Sequence, residues 1–381
     1  MKLVIHDLTT EEWEKIAADF GDCTAISDNG SIRPCVGCFS CWTKDPGRCV
    51  IKDGYENMGA LIHHADEVVV ISRYTYGGFS GFVKNVFDRS LGYVLPQLAF
   101  VGGESHHQKR YDETKPFSFI FYGHDLDQEE KAAAFRYVTA VCTNIRGYVK
   151  EVIFREGGGL PAAWVRTEGK PSGKILLLNG SMRTANGNSA ILAEKLAAQL
   201  KTGSETLLLR DHLSDVTGLF PAVENAKALV LCMPLYVDGL PSQVVRFFET
   251  MQRGYRGSRK NVYVLANMGL YETQQLVNLF DAVRQWCSAM DFVYCGGLGI
   301  GAGEVIGTLM AQSPTGFGVT REVLQGIANL AEVIDTGSRT EEICAGPAHF
   351  PRSVYLAIAN ASWNRTAKRN GLDPKELYRR L

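Results

Sequence analysis

The stretch Lys174-Ile175-Leu176-Leu177-Leu178-Asn179-Gly180-Ser181-Met182-Arg183-Thr184-Ala185-Asn186-Gly187-Asn188-Ser189 decides how the chain is read. It opens as a short apolar strand, and residues 188–200 continue with helical spacing. Between them lies a turn crowded with small polar residues. In a sheet of alternating strands and helices, the turn after the first strand sits at the carboxyl edge, where ligands bind. The helix start adds free N–H groups and the positive end of its dipole. Ser181, Thr184, Asn186, Asn188 and Ser189 put five hydroxyl or amide side chains into nine positions, and Arg183 adds one charge. A helix cap needs only one such residue. No Lys follows the glycines, as a triphosphatase loop requires, and the Gly-x-Gly-x-x-Gly dinucleotide fingerprint is missing. What remains is a cup for a single phosphate monoester.

Strands and helices alternate on both sides of this stretch. After it, strands are expected at 205–209, 228–233, 261–266 and 292–295, with helices at 188–200, 243–252 and 272–290. Before it, strands are expected at 2–6, 67–72, 117–122 and 149–154, and a fifth ahead of a cysteine-rich loop. Helices are expected at 10–20, 82–93 and 129–146, the first capped by Thr9 with Glu12. The run Glu67-Val68-Val69-Val70-Ile71-Ser72 suits a strand buried on both faces. This alternation predicts α/β, doubly wound parallel sheets. Residues 155–173 break it with Gly157-Gly158-Gly159, Pro161 and Gly169-Lys170-Pro171-Ser172-Gly173, the last a linker. The domains are therefore 1–165 and 174–381, with a tail from Gly337 read as helices docked on the second. The two series also align. Val69-Val70-Ile71-Ser72, Tyr76, Val83 and Phe87-Asp88 match Leu229-Val230-Leu231-Cys232, Tyr236, Val244 and Phe248-Glu249, with one extra residue after Tyr236. An offset of one domain length reads as a tandem duplication.

Composition narrows the function classes. Lys plus Arg number 40 against 41 for Asp plus Glu, a net charge of -1 over 381 residues. That balance argues against a nucleic-acid or membrane-surface binder. No apolar run reaches the roughly 20 residues of a membrane span, and the start does not read as a signal peptide. The expected location is cytoplasmic, where ten cysteines do not form a disulfide framework. Four of them crowd into Pro34-Cys35-Val36-Gly37-Cys38-Phe39-Ser40-Cys41-Trp42 and Cys49. Four thiolates so spaced can wrap an iron–sulfur cube. Free reduced thiols and a zinc site are the alternatives.

Two more loops support the phosphate cup: Pro234-Leu235-Tyr236-Val237-Asp238-Gly239-Leu240-Pro241-Ser242 after the third strand of the second series, and Asn267-Met268-Gly269-Leu270-Tyr271-Glu272 after the fourth. With Ser181-Met182-Arg183, Asn186 and Ser189 they resemble, over residues 174–303, the NADPH-dependent FMN reductase family of flavodoxin-like proteins. The resemblance implies two tandem flavodoxin-like domains, each with a five-stranded sheet of order 2-1-3-4-5. It implies that Ser181, Arg183, Asn186, Asn188 and Ser189 hold the FMN phosphate. Pro234, Leu235, Tyr236 and Val237 would flank the ring, with Asn267 and Gly269 on its far side. The implied function is an FMN-dependent NAD(P)H oxidoreductase passing electrons to a quinone, flavin, nitro compound or similar small acceptor. The flavin would carry the chemistry, so no side chain is a catalytic base.

The cysteine loop resembles that of iron–sulfur flavoproteins of the same superfamily, which implies a [4Fe-4S] cluster on Cys35, Cys38, Cys41 and Cys49 and electron transfer as the alternative function. A non-catalytic flavodoxin-like binding protein is the second alternative. In the first half the strand runs through His6-Asp7-Leu8 almost directly into a helix, so the phosphate loop is lost and no independent FMN site is expected. The fusion suggests an intramolecular pseudo-dimer, alone or as a homodimer, with Tyr74, Tyr76 or the cysteine loop brought to the second half's flavin. His106-His107 falls in a polar loop at 102–115, read as solvated or as a lid, and Gly296–Gly303 reads as a glycine run after the last strand.

Overall fold

The computed structural model of the chain describes residues 1–160, 166, 173–183, 187–312, 318–347 and 349–381, with the backbone alone at 304, 308, 311 and 312. The chain divides into two compact units, Met1–Leu160 with Leu356–Leu381, and Pro161–Tyr355. The expected linker at 169–173 falls mostly outside the described residues. Among the described residues no helix is long and apolar enough to cross a membrane.

The first unit carries strands β1 (Lys2–His6), β2 (Cys23–Ile26), β3 (Glu67–Arg73), β4 (Val94–Val101), β5 (Glu104–Lys109), β6 (Pro116–Gly123) and β7 (Tyr148–Glu156). Its main sheet runs β2-β1-β3-β6-β7, parallel throughout. Counting those five strands in chain order, this is the 2-1-3-4-5 order of a flavodoxin-like doubly wound sheet. Val68, Val70, Phe117 and Phe119 are buried in it. The segment expected as a solvated polar loop is instead a hairpin. β4 and β5 pair antiparallel, and His106 is buried there against the expectation.

The second unit carries β8 (Ile175–Asn179), β9 (Ser204–Leu208), β10 (Ala228–Pro234), β11 (Asn261–Asn267), β12 (Val293–Ile300) and β13 (Glu342–Ala345). Its parallel sheet is ordered β13-β12-β11-β10-β8-β9, the same order with a sixth strand where five were expected. β13 is held by its first residue: Glu342 Oε1 accepts from Tyr294 Oη at 2.8 Å and Arg284 Nη2 at 2.5 Å. β12 also runs five residues further than expected, through the glycines to Ile300. A Cβ on Gly297 would come within 2.5 Å of the Val264 carbonyl oxygen, so the close approach to β11 demands glycine inside a strand. Trp286 and Phe248 stack at 3.9 Å and 5° at the base of this unit. Arg166 pins the incoming chain there, donating from Nε to the Met290 carbonyl and from Nη1 to those of Tyr255 and Gly257.

The tail divides between the units, which corrects its expected docking on the second. Leu356–Leu381 packs within the first unit. Buried Arg110 draws it in by donating to the Leu377 carbonyl at 2.7 Å and the Arg379 carbonyl at 2.6 Å. Trp363 meets Phe39 and Trp42 edge-on at 5.2 and 5.3 Å. Asn360 bonds both the N–H and the carbonyl of Leu98, and Asn370 donates to the Thr43 carbonyl.

The strand–turn–helix segment occurs in both units at a constant offset of 161, from Glu67 to Ala228, Thr75 to Tyr236 and Gly81 to Ser242. No extra residue is needed, so Tyr236 stands where Thr75 does and Tyr76 where Val237 does. In each unit a two-residue turn with positive φ is closed by a bridge: Tyr76 (51°) and Gly77 (84°) between Thr75 and Gly78, Val237 (40°) and Asp238 (57°) between Tyr236 and Gly239. Positive φ at both central residues is the type I′ signature.

Two histidines of the first unit make its stability pH-dependent. His6 stacks on Trp13 at 4.3 Å and His107 packs on Trp42 at 4.6 Å. Burial pushes each down to about 4, so the unfolded chain binds more protons between roughly pH 6.5 and 4. Stability should therefore be full above pH 6.5 and be lost as pH falls through that window. Thermal melts from pH 7 to 4 should show the decline, and His6→Phe should flatten part of it.

Candidate functional site

The first strand of each sheet ends differently. In the first unit three residues, 7–9, separate β1 from the helix Thr10–Ile16. That helix start is already satisfied, since Thr9 and Glu12 form the expected capping box. The Asp7 carboxylate lies beside it, 5% exposed. It accepts from Tyr122 Oη at 2.9 Å and from the Arg73 backbone N–H at 3.1 Å to each oxygen. Burial pushes the Asp7 carboxyl above its ordinary value, opposed by the Ser80 and Tyr122 hydroxyls and Arg73. Gly158 closes over the Tyr122 ring, where a Cβ would stand 3.0 Å from Cε2. The chain's own carboxylate thus sits at the end of the first strand.

In the second unit eight residues, 180–187, separate β8 from the helix Asn188–Ala197. The N-cap is Gly187, which has no side chain to offer the first-turn N–H groups. Asn179 Oδ1 accepts from the Ser181 N–H at 2.9 Å, and Ser181 Oγ from the Arg183 N–H at 3.3 Å, which shapes the start of the turn. Arg210 donates to the Arg183 carbonyl at 3.0 Å. Gly180 runs so close to the helix Ser242–Gly254 that a Cβ would meet Val244 Cγ2 at 2.5 Å.

The expected site residues fall as follows. Ser181 and Ser189 are buried, and Arg183 is partly exposed. Ser189 Oγ donates to Asn267 Oδ1 at 2.7 Å, which ties the helix start to the end of β11. Asn188 turns its amide to Gly307, where a Cβ would lie 2.0 Å from its Oδ1. Thr184 and Asn186 lie outside the described residues. Pro234, Leu235 and Tyr236 are half-buried in the second loop, and Val237 is buried in its turn. The Leu235 N–H donates to the Asn267 carbonyl at 2.8 Å, so the loops after β10 and β11 are joined. Gly269 is exposed, and its carbonyl accepts from Tyr355 Oη.

Sequence reading missed several residues here. Arg352 pairs with buried Glu272 at 2.7 Å, and Tyr271 Oη donates to the Phe350 carbonyl at 2.7 Å, so residues 350–355 cover the loop after β11. Gln243 is 3% exposed, and its Oε1 has no hydrogen-bond partner among the described residues. Arg210 and Gln243 carry no local signal, because their partners or neighbours come from other loops.

The cysteine loop lies in the first unit. All ten cysteines are free. Among the described residues no group of three or more His, Cys, Asp or Glu side chains stands where it could hold a metal ion. The loop therefore does not fit an iron–sulfur cluster in this arrangement. Burial pushes the Cys35 thiol up to about 12 and the Cys41 thiol well above its ordinary value.

No family model matches the sequence, and no curated protein matches it. Among solved structures the chain is similar to the Trp repressor binding protein from Bacillus subtilis, at 21% identity over 34% of this chain and 84% of that one, with a TM-score of 0.30. It is similar to an azoreductase from Bacillus anthracis str. Sterne, at 14% identity over 43% and 99%, TM-score 0.31. A flavone reductase matches at 13% identity over 49% and 70%, TM-score 0.32. These likenesses are too slight to assign chemistry, and the fold rests on the strand order itself.

The tight packing at Gly180 is directly testable. Gly180→Ala should destabilise the protein by about 1–3 kcal/mol through overpacking. Val244→Ala in the same chain should recover part of the loss, and a double-mutant cycle on denaturant midpoints reads the coupling.

Proposed function

We propose that the second unit binds FMN at the carboxyl edge of its sheet and acts as an FMN-dependent NAD(P)H oxidoreductase toward a small acceptor such as a quinone, flavin or nitro compound. The observation that carries this reading is the helix start at Gly187: eight residues, 180–187, lead to it from the strand, and its glycine N-cap offers no side chain to the first-turn N–H groups. Such a start favours an anion. In the first unit the equivalent start is capped by Thr9 and Glu12. The residues present fit a phosphate monoester with a ring beyond it. Ser181 supplies a hydroxyl, Arg183 a charge, and Gly180 the narrow backbone that such a turn needs.

In this reading the loop 234–239 flanks the ring, its turn fixed by positive φ at Val237 and Asp238. Gln243 Oε1 supplies a buried acceptor for a ring N–H. Asn267 is oriented by Ser189 and stands at the far side with Gly269. FMN supplies the hydride chemistry, taking two electrons from a nicotinamide and passing them on. The protein's part is to bind, orient and keep water out. The segment 350–355, through Arg352 and Tyr355, shapes the side from which a nicotinamide or acceptor arrives.

Titrating the full chain with FMN should quench flavin fluorescence at one equivalent. Arg183→Ala combined with Ser181→Ala should weaken that binding at least tenfold, and Asp7→Asn in the first unit should leave it unchanged. Failure of the parent chain to take up FMN would sink the reading.

A further inference from the structure

The main sheet of the first unit ends on β7, and no described strand pairs with its outer side. An open edge strand presents a row of unpaired N–H and C=O groups, which folded proteins cover or break. β7 carries one break, near its start. Its register with β6 slips between Phe117–Val149 and Ser118–Glu151, so Lys150 is the extra residue of a bulge. From Glu151 to Glu156 the ladder is regular. Glu151, Arg155 and Glu156 are exposed there, and Val152, Ile153 and Phe154 are half-buried. Three consecutive half-buried apolar residues on an open edge call for a cover.

The bonds to β6 fix which backbone groups face outward. Just past β7, the Gly157 N–H donates to the Gly123 carbonyl at 2.6 Å. In a parallel ladder alternate residues turn both N–H and C=O to the same neighbour. Counted back in twos from Gly157, Arg155, Ile153 and Glu151 face β6. Val152, Phe154 and Glu156 therefore face outward, with no backbone partner among the described residues.

We propose that two copies of this chain pair antiparallel along β7, with the two-fold axis beside Ile153, so that their sheets join into one. An isologous pair needs a self-complementary strand, and outward backbone must meet outward backbone. The axis must then pass beside a residue, not between two. Centred on Glu151 or Arg155, the pairing sets like charges face to face. Centred on Val152 it sets Glu151 against Ile153, and centred on Phe154 it sets Arg155 against Ile153. Centred on Ile153 it sets Glu151 against Arg155 twice, Val152 against Phe154 twice, and Ile153 against itself. Opposite charges and apolar pairs directly across are the favourable combinations, and one register supplies both. Glu151 and Arg155 fall at non-hydrogen-bonded positions, where side chains across the ladder come closest. Ser118 Oγ donates to Glu151 Oε1 at 3.2 Å, and Lys150 is taken up by Glu67 at 2.9 Å.

The test uses the full chain, with light scattering over a dilution series and hydrogen exchange at high and low concentration. A particle of twice the chain mass should dissociate on dilution, and the 152–156 amides should lose protection with it. Val152→Pro, which removes an outward N–H and leaves the ladder to β6 alone, should abolish the dimer. Arg155→Glu puts like charges opposite and should weaken association about tenfold or more. Adding Glu151→Arg to it restores opposite charges and should recover most of the loss. The proposal is overturned by a chain that stays monomeric throughout, or by a dimer whose 152–156 amides exchange as fast as the monomer's. A folded charge-swap chain that stays dissociated also overturns it. Because exchange in the parent decides the interface by itself, a variant that fails to fold leaves the test intact.

Discussion

Peptide N–H groups at the start of a helix have no partner within the helix, and each sheet here must deal with that at the end of its first strand. The first unit spends its own side chains: Thr9 and Glu12 cap the helix, and the Asp7 carboxylate sits at the end of β1 on Tyr122 and Arg73. The second unit leaves its start to Gly187 and a longer turn. One strand order thus supports two unlike edges. The two units differ in how the helix start after the first strand is met, not in the order of the strands beneath.

The first unit also shows how buried charge is matched by the backbone around it. Arg89 and Arg110 would each be costly to bury alone. Arg89 is matched to Asp53 and two carbonyls besides Cys49, and Arg110 to the carbonyls of Gly92, Leu377 and Arg379. Such a guanidinium fixes three or four chain segments at once, which a hydrophobic contact does not. The cysteine loop, with few apolar residues of its own, owes its shape to these two side chains and to the aromatic group of Phe39, Trp42 and Trp363.

Much of the fold was legible because its signals are local. The valines of Glu67–Arg73 and the leucines of Ile175–Asn179 announce buried parallel strands, and Thr9 with Glu12 announces a helix start. The misses share one cause, partners far away in the chain. Glu342–Ala345 is too short to read as a strand without Tyr294 and Arg284 to hold it. The glycines of β12 look like a loop until the approach of Val264 is known. His106 looks solvated until its hairpin partner is in place. At the candidate site the turn 180–189 was legible, but Arg210, Gln243 and the cover from 350–355 were not, since no spacing rule links them to it.

The return of Leu356–Leu381 to the first unit sets an order of events during synthesis. The cysteine loop leaves the ribosome well before the segment that packs on it, and Arg110 and Trp42 must wait for Leu377 and Trp363. Domains generally fold as units as they emerge. The later-made unit, continuous from Pro161 to Tyr355, has all its strands before the earlier one is complete. Until Leu356–Leu381 has been made, Phe39 and Trp42 therefore lack the aromatic partner that Trp363 gives them in the folded unit.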